Sequence, residues 1–203
     1  MRIFVAGATG LIGARLVPLL LAAGHDVAGL TRSPQKAGLL AGLGAEPVVC
    51  DVFDAGALNL AVAAFRPDVV VHQLTDLPDD LAELASYGAR NARIRSEGTR
   101  NLLAAAATAK AGRFLAQSIS WELPARGGQA VTAGHERLVI EAAGVVIRYG
   151  QFYGPGTYYE GEPPPPPRIH IDDAARRTVP ILAVPPGITV VIDDRAAQAG
   201  PRP

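Results

Sequence analysis

Cysteine is nearly absent from this 203-residue sequence, which contains only Cys50. A single thiol excludes an intramolecular disulfide and a zinc cluster built from thiolates, and it fits a reducing cytoplasm. The sequence also has no excess of charge of either sign, because its 19 basic and 19 acidic side chains cancel near neutral pH. Balanced charge gives no indication of a nucleic-acid surface or an anionic membrane surface. We therefore expect a cytoplasmic protein with no nucleic-acid partner and no membrane partner.

Long apolar runs are missing too, and a membrane span needs about 20 such residues. The apolar opening of the chain is broken by GATG at residues 7–10 and carries Arg15 soon afterwards. A secretory signal needs an unbroken apolar helix, so this opening is a poor candidate for one. Apolar residues still make up 49% of the chain, enough for the core of one domain with at most a small appendage.

Short apolar runs alternate with longer helical patterns along the whole chain. Such alternation predicts an α/β fold, a parallel sheet with helices on both faces. Pro18 falls inside the first helical pattern and should cost a hydrogen bond and kink that helix. The predicted strands cover residues 2–7, 25–31, 45–50, 67–74, 112–118, 144–150 and 187–192, and the predicted helices cover residues 11–23, 55–65, 96–109, 133–143 and 172–182.

Three glycines, Gly7, Gly10 and Gly13, lie between the first predicted strand and the first predicted helix. At such a turn, glycines permit a tight bend, close approach of a pyrophosphate to the backbone, and tight packing of helix on strand. The helix N-terminus adds unpaired N–H groups and a positive dipole. The turn therefore predicts a dinucleotide site, although packing alone could also require these glycines. The expected cofactor contacts at this turn are Gly7, Thr9, Gly10, Leu11, Ile12 and Gly13.

The spacing Gly-x-x-Gly-x-x-Gly, taken with later segments, resembles the extended and atypical short-chain dehydrogenase/reductases of the NAD(P)-dependent epimerase/dehydratase superfamily. The resemblance implies a Rossmann-type doubly wound sheet. It also implies that Asp51 and Val52 lie at the adenine ring and that Gln73 and Leu74 line the cofactor. Asp51 could instead cap a helix near Asp54. The segments that carry the resemblance are CDVFD at 50–54, VVVHQL at 69–74, EGTRNLLAAA at 97–106, AQSIS at 116–120, RYGQFYGPGT at 148–157 and IHIDDAA at 169–175.

The end of the second predicted strand bears on which cofactor is preferred. Sites that prefer NAD usually offer a carboxylate to the ribose 2′-hydroxyl there, whereas this chain has LTRSPQK and its nearest acid, Asp26, is at the other end of the strand. Arg32 and Ser33, helped by Lys36, could hold a 2′-phosphate through charge-assisted hydrogen bonds. We therefore expect NADP(H) to be preferred over NAD(H). The alternative is that Arg32 and Lys36 are solvated charges on a turn.

The Tyr-x-x-x-Lys pair that performs proton transfer in oxidoreductases of the family is missing. The chain has only two lysines, Lys36 and Lys110, and neither follows a tyrosine by four positions. Alignment to the family's helix places Gly128 at the tyrosine position and Thr132 at the lysine position.

Four other side chains are the candidate catalytic residues: Ser118, Ser120, Tyr153 and His135. The serines could polarise a carbonyl, and Tyr153 or His135 could supply a proton. The serines could equally well only cap a strand end, His135 could be a partly exposed helix residue, and Tyr153 could only shape the pocket.

We expect a Rossmann core over residues 1–150, a reduced substrate-side lobe over 151–194 and a disordered tail over 195–203. The proline run Pro163–Pro167 favours a stiff connection without helix or strand. His170, Asp172 and Asp173 fit a strand end followed by a helix cap better than a metal site. The resemblance implies the activity of an NADP(H)-dependent oxidoreductase of a small carbonyl or hydroxyl compound, so the expected partner is a small-molecule substrate, and homodimer formation stays open. A non-catalytic NADP(H) sensor and a non-redox isomerase, dehydratase or cyclase remain alternatives.

Overall fold

A computed structural model of the chain describes residues 1–123 and 126–193. Its main element is a seven-stranded sheet in which every neighbouring pair is parallel, with the order β3-β2-β1-β4-β5-β6-β9. Two short strands, β7 and β8, form a separate parallel pair. The strands are β1 Arg2–Ala6, β2 Asp26–Thr31, β3 Glu46–Val49, β4 Val69–His72, β5 Arg113–Ile119, β6 Val145–Tyr149, β7 Gln151–Tyr153, β8 Arg168–His170 and β9 Gly187–Val191.

Helices cover both faces of this sheet. The α-helices are α1 Gly13–Ala22, α2 Pro34–Leu43, α3 Ala55–Phe65, α4 Gly88–Arg93, α5 Thr99–Thr108, α6 Arg126–Glu141 and α7 Ile171–Ile181. A 3₁₀ segment, Leu81–Tyr87, precedes α4, and a π-helical turn, Ile94–Gly98, joins α4 to α5. The doubly wound parallel sheet predicted from the sequence is confirmed.

Strand β1 shows why its sequence is apolar at every position after Arg2. Ile3 and Val5 belong to the core beneath α1 and α7, whereas Phe4 and Ala6 belong to the core beneath α3, α5 and α6. A strand of a parallel sheet covered on both faces has no solvent side, which favours apolar residues at successive positions.

Several local predictions differ from the structure. Helix α1 does contain Pro18, as expected, and its neighbours Val17 and Leu20 are buried; the kink stays a prediction. Helix α2 was not predicted, because its apolar residues follow no clear helical period; Leu40 is its only buried residue. The predicted helix from residue 96 is the end of a longer helical run that starts at Gly88.

The C-terminal part is built into the same core. Helix α7 packs against α1, and β9 adds to the main sheet beside β6. Residues 154–167, all described, contain no helix or strand, as the proline run predicts. The expected domain boundary at residue 150 falls between β6 and β7, and the expected tail 195–203 lies outside the described residues. In the described part of the chain, no helix is long and apolar enough to cross a membrane.

Candidate functional site

The turn between β1 and α1 is closed tightly by its glycines. Gly7 has φ +87°, and a Cβ there would lie 2.8 Å from the carbonyl atoms of Gln73. A Cβ on Gly13 would lie 2.1 Å from the Gly7 oxygen, which also accepts the Gly10 N–H at 3.0 Å. Side chains at Gly7 and Gly13 are therefore excluded by the fold itself, which leaves the backbone of this turn bare.

The N-terminus of α1 suits an anion. Within the described chain, no side chain caps this end and no acidic residue lies in the first turn. Its N–H groups and dipole therefore favour a phosphate. Arg15, one turn further on, donates to Asp172 at 2.8 Å and to the Pro155 oxygen, which ties α1 to the loop after β7 and to α7.

The end of β2 carries no carboxylate. The Thr31 hydroxyl lies 3.2 Å from the Thr9 hydroxyl and accepts the Ser33 N–H at 3.2 Å, which fixes the strand end against the glycine turn. Ser33 is the N-cap of α2, where its hydroxyl accepts the Lys36 N–H at 3.3 Å. The adjacent Arg32 side chain is exposed, so a cation and a helix N-terminus meet at this point.

The turn after β3 contains Asp51 and Val52, and Val52 is buried. Asp54, rather than Asp51, caps α3 by accepting the Ala57 N–H at 3.0 Å. Asp51 accepts the Phe53 N–H at 3.0 Å. The helix-cap alternative for Asp51 is therefore wrong, and its role at adenine stays a prediction.

Gln73 follows β4, directly against the glycine turn. Its Nε2 donates to the Tyr149 hydroxyl at 3.3 Å, but its buried Oε1 has no hydrogen-bond partner. A buried acceptor without a partner, next to a turn that has no side chains, fits a ligand that carries hydrogen-bond donors. These residues fit a nicotinamide dinucleotide; that Gly7, Gly10 and Gly13 hold its phosphates and that Gln73 and Leu74 line it stays a prediction.

Ser118 lies near the end of β5 and is only 3% exposed. Its hydroxyl donates to Glu136 on α6 at 2.6 Å, and Arg148 of β6 binds the same carboxylate at 2.9 and 2.5 Å. Burial opposes ionisation of Glu136, but the bonds from Arg148 and Ser118 outweigh burial and lower its pKa. These three side chains join α6 to β5 and β6.

Ser120 and Tyr153 also have protein partners. The Ser120 hydroxyl donates to the Tyr149 carbonyl at 2.9 Å. The Tyr153 hydroxyl donates to Asp193 at 3.1 Å, and its ring meets His170 edge-on at 5.3 Å. Burial and the bond to Asp193 raise the pKa of Tyr153. The structure does not bring Ser120, Tyr153 and His135 into contact with one another.

His135 belongs to a buried hydrogen-bonded chain. The Leu74 N–H donates to His72 Nδ1 at 3.2 Å, so His72 Nε2 carries the hydrogen that reaches Thr99 Oγ1 at 3.2 Å. Thr99 then donates to His135 Nδ1 at 2.9 Å, and His135 Nε2 donates to the Gln117 oxygen at 3.0 Å. In this arrangement each imidazole carries a hydrogen on one nitrogen and accepts a hydrogen bond at the other, so both rings are neutral.

The environment of His135 keeps it neutral. It is 2% exposed, so the alternative of a partly exposed helix residue is wrong. Burial, followed by the charge of Arg95, lowers the pKa of His135 to about 4. Burial, followed by the charges of His135 and Arg95, holds the pKa of His72 well below its usual value.

The positions of the missing Tyr-x-x-x-Lys pair lie on α6. Gly128 has no side chain, and the Thr132 hydroxyl donates to the Gly128 carbonyl at 3.1 Å. Thr132 and Glu136 are both buried, so this face of α6 packs inward without a tyrosine or a lysine. Neither Gly128 nor Thr132 can replace the proton relay of the pair.

Sequence reasoning missed several polar residues around this site. Thr99 and Arg148 lie in segments interpreted as helix and as strand, and Arg95 lies just before the predicted helix of residues 96–109. The register that pairs Ser118 with Arg148 across β5 and β6 leaves no local signal in the sequence.

The described residues contain no group of three or more His, Cys, Asp or Glu arranged to hold a metal ion. As expected, His170 caps α7, and Asp172 and Asp173 lie in its first turn.

A model of the NAD dependent epimerase/dehydratase family matches residues 3–130, more than half of the chain. The chain belongs to the NAD dependent epimerase/dehydratase family. This epimerase/dehydratase family member is 38% identical to the 3-diazoavenalumate denitrifying reductase of a Streptomyces species over 244 aligned positions, which cover 98% of this chain and 78% of that protein.

Two further proteins illustrate the range of the family's relatives. The 3-beta-hydroxysteroid dehydrogenase of Mycolicibacterium neoaurum is 32% identical over 143 residues, which cover 68% of this chain and 36% of that protein. The UDP-glucose 4-epimerase of Thermus thermophilus, solved as a complex with NAD, has a TM-score of 0.76 at 21% identity, and the match covers 95% of this chain and 78% of that one. At that identity the likeness concerns the fold alone.

Proposed function

We propose that this protein is an NADP(H)-dependent reductase of a small electrophile that needs no side-chain proton donor. One contrast carries the proposal. The glycine turn at Gly7–Gly13 keeps the bare backbone that a dinucleotide requires, whereas α6 has Gly128 and Thr132 at the positions of the family's tyrosine and lysine. The chain has thus kept the means to bind a hydride donor and lost the usual means to move a proton.

The preference for NADP(H) rests on the end of β2. Arg32 is exposed there and is free to turn toward a 2′-phosphate, and Ser33 opens α2, whose N-terminal dipole favours the same anion. An NAD-type carboxylate at this strand end would repel that phosphate, and the sequence LTRSPQK has none.

The substrate class follows from the 38% identical relative, which is named as a denitrifying reductase of 3-diazoavenalumate. The ending of that substrate's name denotes the anion of an organic acid. When bound, NADPH would supply a hydride to the terminal nitrogen of an arenediazonium group, which gives an aryldiazene. The C–N bond then breaks, dinitrogen leaves, and the proton from the N–H group ends on the aryl carbon, so that NADP⁺, dinitrogen and the arene are the net products. No proton has to come from the protein, which fits a site without the Tyr-x-x-x-Lys pair.

The protein's own residues would then bind and orient rather than transfer protons. Ser118 holds Glu136 in place, Ser120 fixes the ends of β5 and β6, and His135 anchors α6 to the Gln117 carbonyl. Tyr153, with its raised pKa, would stay neutral and shape the pocket from the side of β7.

Reduction of a carbonyl compound is the second candidate. It is favoured by the Tyr153 hydroxyl, which donates to Asp193 and could instead donate to a substrate oxygen, and by the relative named as a 3-beta-hydroxysteroid dehydrogenase. A carbonyl oxygen needs a proton when it accepts hydride, so this reaction should be the slower of the two.

The test offers the protein and NADPH two probes, a benzenediazonium salt and benzaldehyde. We expect nicotinamide absorbance to fall with the diazonium salt while benzene and dinitrogen accumulate, and a slow reaction with benzaldehyde. Gly13→Ala, which cannot form the turn, serves as the control for non-enzymatic reduction. Product without loss of absorbance would indicate a non-redox enzyme, and NADPH binding without any product would indicate a sensor; either result contradicts the proposal.

A further inference from the structure

Arg95 is a buried cation whose guanidinium has no hydrogen-bond partner among the described residues. Its side chain is 9% exposed, and its Nη1 is buried with no hydrogen-bond partner. No hydrogen bond or ion pair joins its guanidinium to any residue in the described ranges 1–123 and 126–193. Buried charges in folded proteins are paired, because an unpaired one costs several kcal/mol.

The backbone at Arg95 is irregular as well. Arg95 is the second residue of the π-helical turn Ile94–Gly98, and such turns are rare and are frequent at functional sites. The turn packs against α6 and continues into α5. Arg95 therefore lies against α6, the helix on which Gly128 and Thr132 occupy the positions of the family's tyrosine and lysine.

The charges around Arg95 do not balance. Its electrostatic neighbours are His72, His135 and Glu136. Both histidines are neutral in the hydrogen-bonded chain described above. Glu136 is shared with Arg148, which binds it through two nitrogens, and with Ser118. One carboxylate thus faces two guanidinium groups, and one positive charge remains unmatched.

We propose that Arg95 binds the carboxylate of the substrate, so that the proposed reductase acts on an aromatic acid. A carboxylate supplies the missing negative charge, and its two oxygens match the planar fork of a guanidinium. This proposal rests on the proposed function and names the substrate's recognition group, whereas the hydride-accepting group is a separate part of the molecule.

The position in the sheet assigns this anion to the substrate rather than to the cofactor. The glycine turn and Arg32, where the cofactor's phosphates are expected, follow β1 and β2. Arg95 lies beside His72 at the end of β4, against α6, which packs on β5. Ligands of doubly wound sheets lie across the carboxyl ends of the strands, with phosphates on the first strand-to-helix turn. The β4–β5 side is left for the reacting half of the cofactor and for the substrate.

The experiment measures binding without turnover, using benzoate and benzamide as probes on the full chain saturated with NADP⁺. We expect benzoate to bind the wild type more tightly than benzamide does. Arg95→Met should weaken benzoate by about tenfold or more and leave benzamide unchanged, and Arg95→Lys should fall between the two. Arg100→Met, an exposed arginine on α5, is the matched control and should bind both probes as the wild type does.

The same set of variants also tests whether each variant folds and whether Arg95 binds the cofactor instead of the substrate. Because Arg95→Met removes an unpaired buried charge, it should melt at or above the wild-type temperature. Benzoate should raise the melting temperatures of the wild type and of Arg100→Met more than that of Arg95→Met. Equal benzoate affinity in wild type and Arg95→Met would overturn the proposal. A loss of NADP⁺ affinity in Arg95→Met with unchanged benzoate binding would overturn it too, because Arg95 would then serve the cofactor. Failure of diazonium reduction with Arg95-dependent benzoate binding intact would refute only the proposed function.

Discussion

Arg32 is the single residue on which the expected cofactor preference depends. It is exposed at the end of β2, beside the N-cap Ser33. We expect NADPH to bind more tightly than NADH, and Arg32→Ala to remove most of the difference, on the order of 1–3 kcal/mol for a charge-assisted contact. Fluorescence titration of the wild type and of Arg32→Ala with each nucleotide measures this difference in binding. Lys110→Ala, which removes a distant lysine, is the control, and tighter binding of NADH by the wild type would show that the Arg32 assignment is wrong.

The candidate catalytic residues show which features of individual site residues could be predicted from the sequence. The types and elements of Ser118, Ser120 and His135, a strand end for the two serines and the following helix for His135, could be predicted from the order of motifs. Their partners could not, because each partner comes from another element: Glu136 for Ser118, the Tyr149 carbonyl for Ser120, and Thr99 for His135. Side-chain bonds between distant segments depend on register and burial, which leave no local pattern.

The glycine turn is the element that decides whether the dinucleotide site exists. Gly13→Ala would place a Cβ 2.1 Å from the Gly7 oxygen, so the turn must open. We expect it to abolish NADPH binding and to lower the free energy of unfolding by about 1–3 kcal/mol, the usual cost of overpacking.

Gly38→Ala is the matched control for that substitution. Gly38 lies in α2, and no atom lies within 4 Å of the place that an alanine Cβ would take. Alanine should therefore raise stability by about 0.5–1 kcal/mol and leave NADPH binding intact. Both effects are measured by urea unfolding and nucleotide titration. Wild-type affinity in Gly13→Ala would contradict the assignment of this turn to the cofactor.

Elements were predictable where the apolar pattern is strong. Helix α3 covers residues 55–65 as expected, because the cap Asp54 and the buried Leu58 and Val62 mark it in the sequence. Helix α2 has a mostly exposed surface and gives no such pattern. The π-helical turn could not be predicted either, since its extra residue per turn is stabilised by packing on α6 rather than by local sequence.

At the scale of the whole molecule, we expect a core with a shortened substrate side. The 244 positions aligned with the denitrifying reductase exceed the 203 residues of this chain, so that reductase has residues without a counterpart here. Residues 154–167 connect β7 to β8 without a helix or strand, and Tyr158 bonds to the Pro78 oxygen across the molecule. We therefore propose a small aromatic acid rather than a large molecule as the substrate.

Acid should destabilise the whole fold through the buried histidines. His135 has a pKa of about 4 in the folded protein and about 6.5 when unfolded. The unfolded chain therefore binds more protons between these values, and the contribution of His135, complete above pH 6.5, is lost as the pH falls toward 4. We expect urea unfolding at pH 5 to show about 2 kcal/mol less stability than at pH 7.5, with His72 adding to the loss. His135→Gln should shrink that difference and His25→Gln should not; an unchanged difference in His135→Gln would exclude His135 as its source.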